Sequence, residues 1–185
     1  PGTNDGTVAW SYSVSDAALD FLGAGESVTL TYPVTVTDEA GGEDTTRSIT
    51  VTITGTDDAP VITGTDVTAS LAEDTAVTSG NLTASDTIAF TDVDLTDDHT
   101  VTVGDGSNGV AAPEISYSAG VDSEAALAEA LETALQPALE AAIAGHDGSS
   151  ADGAIATSFA LANDLVQFLD QGESVTATYT VELVD

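Results

Sequence analysis

The chain has no cysteine, no methionine and no lysine, and its single arginine, Arg47, stands against 32 acidic residues. Without cysteine there is no disulfide, no thiolate nucleophile and no cysteine-ligated metal. Without a basic patch there is no surface for a nucleic-acid backbone, and a net charge of −31 is repelled by an anionic membrane face. No run of about 18 apolar residues occurs, so nothing here reads as a membrane-spanning helix. The opening PGTNDG lacks the charged and apolar regions of a signal peptide, so any export signal lies outside this segment. The only two imidazoles, His99 and His146, fall in different regions of the chain. No Ser/His/Asp set and no zinc-ligand spacing is visible. Among 32 acids, chance carboxylate pairs carry no weight for glycoside hydrolysis. The expectation is a protein that is not an enzyme.

What is present is a two-residue rhythm. Val28, Leu30, Tyr32, Val34 and Val36 alternate with threonines; so do Ile49, Val51 and Ile53, and then Val175, Ala177, Tyr179, Val181 and Leu183. Such alternation describes strands with one buried and one wet face, as in antiparallel sheets packed as sandwiches. Glycine clusters at Gly23 to Gly25, Gly41-Gly42, Gly104 to Gly109 and Gly145 to Gly153 punctuate them. The G-x-G-x-x-G at Gly104 to Gly109 precedes Val110-Ala111-Ala112-Pro113 rather than a helix, and reads as a hairpin loop. Ser123 to Ala144 breaks the rhythm. Leu127, Leu131, Leu135, Leu139 and Ile143 recur every four residues, which predicts a helix kinked or split at Pro137.

The chain also repeats itself. Thr7–Asp38 and Ala154–Asp185 align at an offset of 147 with 13 identical positions, including Phe-Leu-x-x-Gly-Glu-Ser-Val-Thr and the pair Tyr32 and Tyr179. A fixed internal period marks a tandem array. A polar link ending at Pro60 divides the chain into 1–59, the C-terminal part of one β-sandwich repeat, and 60–185, a second repeat with a helical insertion at about 123–144 and without its last strand. The array continues beyond these residues, or neighbouring chains complete the open sheets by strand addition.

Trp10-Ser11-Tyr12, the Leu19–Ser27 turn, Tyr32, Val36-Thr37-Asp38, Gly41-Gly42 and the terminal Thr52–Pro60 resemble the VCBS repeats of giant bacterial adhesins. Phe90-Thr91-Asp92-Val93-Asp94 with Asp98-His99-Thr100 looks like that family's early-strand motif. The chain departs from the pattern at Asp57, where the family commonly has Asn, and it has no RTX nonapeptide run. The resemblance implies an all-β fold of tandem Ig-like, cadherin-like antiparallel sandwiches. It implies an extracellular role at the bacterial cell surface, in adhesion, biofilm or filament formation. The implied partners are neighbouring repeats or identical chains, with a cell-surface or glycan target reached through other domains.

Calcium (Ca2+) is the cofactor that the carboxylates and the resemblance point to. It takes six to eight oxygen ligands. Asp92 and Asp94, two apart on a strand, share a face. Asp57 and Asp58 lie in the link, Glu73 at an early turn, and Asp38 and Glu39 at a hairpin end. These seven are the candidate metal ligands. An EF-hand is absent, because Asp97 stands where its sharp turn needs glycine. The alternatives are a glycan- or ice-binding module, motivated by the threonine-rich faces (Thr29, Thr31, Thr35), and a self-assembling filament subunit completed by strand exchange.

Overall fold

The structure is a computed structural model that describes residues 6–37, 45–118, 125–146 and 150–185. It is built mostly of antiparallel strands with one α-helix, and it divides into two compact units, Pro1–Asp58 and Ala59–Asp185.

The first unit is a hairpin. Strand β1 (Ser27–Val36) pairs antiparallel with β2 (Thr45–Thr54), in a register that places Leu30 opposite Val51 and Tyr32 opposite Ile49. The half-buried positions are Val28, Leu30, Val34, Ile49, Val51 and Ile53, as the threonine/apolar alternation requires. The threonine face is exposed, with Thr35 and Thr46 hydroxyls 2.9 Å apart.

The second unit carries the larger core. A four-stranded sheet runs in the order β3 (Val61–Ile62), β4 (Asn81–Thr91), β8 (Asp152–Ala162), β7 (Leu139–Ala144). Two further two-stranded sheets join β5 (Thr100–Val103) to β10 (Val181–Val184), and β6 (Glu114–Tyr117) to β9 (Val175–Thr178). The single predicted strand Ser174–Asp185 is therefore two strands, β9 and β10, which enter different sheets. Helix α1 (Ala125–Leu135) delivers Leu131 and Leu135 to a core shared with Leu82, Leu161 and Val166. Leu127 lies on its exposed side. No helix among the described residues is long and apolar enough to cross a membrane.

Two expectations need correction. The helix does not extend to Ala144: it ends at Leu135, and Leu139–Ala144 is β7, paired with β8 from Leu139↔Phe159 to Ala144↔Ala154. Pro137 lacks the N–H a helix needs, and the residues beyond it satisfy their backbone on the open edge of β8 instead. The i+4 spacing of Leu139 and Ile143 is also an i+2 spacing with Ala141, so the pattern admitted both structures. Gly104 to Gly109 is not a hairpin loop either. It joins β5 to β6, which belong to different sheets. The loop closes on Asp105, whose carboxylate accepts from the backbone N–H of Ser107 (2.7 Å) and Asn108 (3.0 Å) and from the Ser107 hydroxyl. These bonds hold its pKa below the ordinary aspartate value.

Tyr179 ties the sheet to the helix, its hydroxyl donating to the Leu135 carbonyl at 2.6 Å. Burial pushes its pKa up to about 12. The fold favours the neutral phenol, so this contribution is complete below the ordinary tyrosine pKa and is lost as pH rises through about 12. Tyr117 is also raised, by burial first and by the charge of Glu132 second. An alkaline absorbance titration should show a late tyrosine step near pH 12, and Tyr179→Phe should remove that step. A titration curve that Tyr179→Phe leaves unchanged in its late part would contradict this placement.

Candidate metal centre

Strand β4 ends by aiming its last residues inward. Phe90 is 1% exposed because its ring lies over Gly153 on the paired strand, where a Cβ would come within 2.3 Å of it. Glycine at 153 is thus required by the close approach of an aromatic ring. Past Phe90 the chain turns, and Asp92 and Asp94 are both enclosed, at 2% and 0% exposure. The Asp92 backbone N–H donates to Ala151 O at 2.7 Å. One Asp92 carboxylate oxygen accepts from the Asp94 N–H at 2.9 Å, and the other lies 2.8 Å from His99 Nε2.

The structure corrects the reading that the two histidines lie apart. Their ring centroids are 4.4 Å from each other, and both rings stack on Phe90, at 5.0 Å for His99 and 5.8 Å for His146. The chain between them, 100–145, returns through β7, whose pairing with β8 brings His146 back beside the end of β4. Sequence separation concealed this; only the sheet order reveals it. His99 orients Asp92, and the side chains of both are fully shielded.

Among the described residues one group of carboxylates converges: an oxygen from each of Asp57, Asp94 and Asp97 lies within 4.8 Å of the other two. Asp57 is exposed, in the segment leading into β3, while Asp97 is half-buried, in the turn after β4. Two unit charges at that separation repel by about 3 to 4 kcal/mol at an effective dielectric of 20. The chain has one side chain, Arg47, that is cationic at all pH values, and it sits on β2 donating to Thr46 O at 2.9 Å. The donor set fits a hard divalent cation: oxygens on a calcium ion at 2.3–2.6 Å lie up to about 5 Å from one another.

The seven sequence candidates therefore separate. Asp57 and Asp94 are brought together. Asp92 is adjacent but is committed to His99 and the Asp94 N–H. Asp58 is exposed and outside the group. Glu73 is outside it too. Its loop is pinned elsewhere, by Asp74, whose carboxylate accepts from Asn163 Nδ2 (2.8 Å) and Gln167 Nε2 (3.1 Å). Asp38 and Glu39 lie outside the described residues. Asp97 belongs to the group and was not among the sequence candidates. Its signal was the continuation of Asp92-x-Asp94 to Asp97, in which a turn after the strand swings a third carboxylate beside the second.

No family model matches this chain, nor does any curated protein or solved structure.

Proposed function

We propose that this chain is an extracellular structural repeat, an extender module of a bacterial surface adhesin or filament, and that calcium bound by Asp57, Asp94 and Asp97 stiffens the segment Gly55–Pro60 between successive repeats. One observation carries the metal: three carboxylates within 4.8 Å of one another, one fully buried, in a chain with a single Lys or Arg. The internal repeat and its resemblance to the VCBS repeats support the extender role. The remaining calcium ligands would be backbone carbonyls and water. The ion's work here is mechanical. It offsets the charge of carboxylates held close together, and so fixes the segment that carries Asp57.

The test is hydrogen exchange of the amides of Gly55 to Ala59 in EDTA and in calcium. Calcium should slow them at least about tenfold, equivalent to about 1.4 kcal/mol of local stabilisation, with magnesium ineffective. Equal exchange rates in the two conditions would remove the stiffening mechanism.

A further inference from the structure

The two copies of the internal repeat share the geometry of their central turn, which makes their differences elsewhere informative. In each copy a 3-10 turn (Asp16–Ala18, Asn163–Val166) leads to a tight turn closed by a glutamate. Glu26 accepts from the Gly23 N–H at 3.1 Å, and Glu173 from the Asp170 N–H at 2.9 Å. The glycines before them, Gly25 and Gly172, hold φ of 84° and 92°. The aromatic pairs also coincide: Tyr12 and Tyr32 lie 6.2 Å apart, and Phe159 and Tyr179, at the same offset, 6.3 Å.

The copies differ in what covers them. In the second, Asp152–Ala162 is β8, held between β4 and β7, and Ile155, Thr157 and Leu161 are 0%, 7% and 6% exposed. In the first, Gly6–Ser15 belongs to no strand. Its matching side chains Val8, Trp10 and Val14 are 61%, 59% and 45% exposed, with Tyr12 between them at 36%. Gly153 is glycine because the Phe90 ring occupies the place of a side chain. Its counterpart Gly6 is also glycine, yet nothing lies within 4 Å of a Cβ there. Tyr179 donates to the helix, while its counterpart Tyr32 is 42% exposed.

We propose that Gly6–Ser15 is a receiving strand for the front part of another copy of this repeat, equivalent to Val61–Ala144, and that a β4-type strand is what docks on it. The register follows from β4 on β8, where Leu82 faces Leu161, Ala84 faces Phe159, Ile88 faces Ile155 and Phe90 faces Gly153. Transferred by the repeat offset, the incoming strand runs antiparallel. It places an apolar residue opposite Val14, a small one opposite Tyr12, a β-branched one opposite Val8 and an aromatic ring over Gly6. The chain's own β4 is already paired along its whole length with β8, so the strand comes from another copy. This inference rests on the repeat and not on calcium.

The probe is a synthetic peptide with the sequence of Asn81–Thr91, titrated into the full chain in EDTA, so that failure of the calcium reading leaves the result unaffected. Trp10 is the only tryptophan, so its emission reports the receiving face alone. Binding should give a saturable blue shift. It should weaken at least about tenfold when the peptide's aromatic is replaced by alanine, or when the chain carries Gly6→Val. Gly6→Val has open space for its side chain and should melt like the parent, so its loss of binding reports on docking. A second arm joins the same peptide ahead of Pro1 through a glycine/serine linker, raising its effective concentration to about the millimolar range. No blue shift in either arm would overturn the proposal, as would a shift that a scrambled peptide or Gly6→Val reproduces in full.

Discussion

Calcium should raise the melting temperature of this chain by about 10 °C over its value in EDTA. At a hundred times the dissociation constant, an ion that binds only the folded state adds about 2.7 kcal/mol, and each kcal/mol moves the midpoint of a domain of this size by a few degrees. Magnesium at the same concentration should do much less, because it demands near-ideal octahedral geometry and gives up its water reluctantly. Sodium chloride is the second control, since added salt screens the exposed part of a −31 charge without filling the site. Asp97→Asn and Asp57→Asn should each remove most of the calcium-dependent rise. Asp94→Asn should remove it too, but Asp94 is fully buried, so that variant also perturbs the metal-free fold. Asp74→Asn, in the loop pinned by Asn163 and Gln167, should keep the full response. If magnesium or salt matched calcium, the acids would be a solvated coat, and the stiffening of Gly55–Pro60 would fall with the site.

Phe90→Ala should cost about 3 to 5 kcal/mol of stability, the range for deleting a fully buried aromatic ring. The ring is 1% exposed, and it fills the space over Gly153 as well as one side of the two imidazoles. No neighbour can collapse into the gap cheaply, because Gly153 has no side chain and His99 is held by Asp92 at 2.8 Å. Chemical denaturation should therefore show a lower midpoint with an unchanged slope. The variant should also blunt the calcium response, since Asp92 and Asp94 follow directly on the strand that Phe90 anchors. A loss below about 1 kcal/mol would mean that the ring is not the keystone of this end of the sheet.

Much of the architecture was legible from the alternation of threonine with apolar residues. Strands β1 and β2 fall where the pattern places them, because a half-buried strand must alternate at every position. Leu139–Ala144 was misread because its period fits two structures, and a neighbouring strand edge decided between them. Ser174–Asp185 read as one strand because its pattern does not break, whereas the pairings of β9 with β6 and β10 with β5 divide it. At the site, Asp57 and Asp94 could be named in advance because linker and strand-end acids are limited in number. Asp97 could not, because a turn residue has no periodicity to betray its direction. Asp92 also reads as a candidate, and the structure adds its contact with His99, which joins the end of β4 to the loop before β5.

The sequence by itself determined that this is an acidic, cysteine-free, predominantly β chain with an internal repeat, because composition, period and alternation are local properties that each residue carries with it. Tertiary structure alone decided which histidines meet, which three aspartates converge, and which copy of the repeated strand is covered. Those outcomes depend on which strands lie side by side, and a sheet brings together residues far apart in sequence through pairings that no single segment specifies.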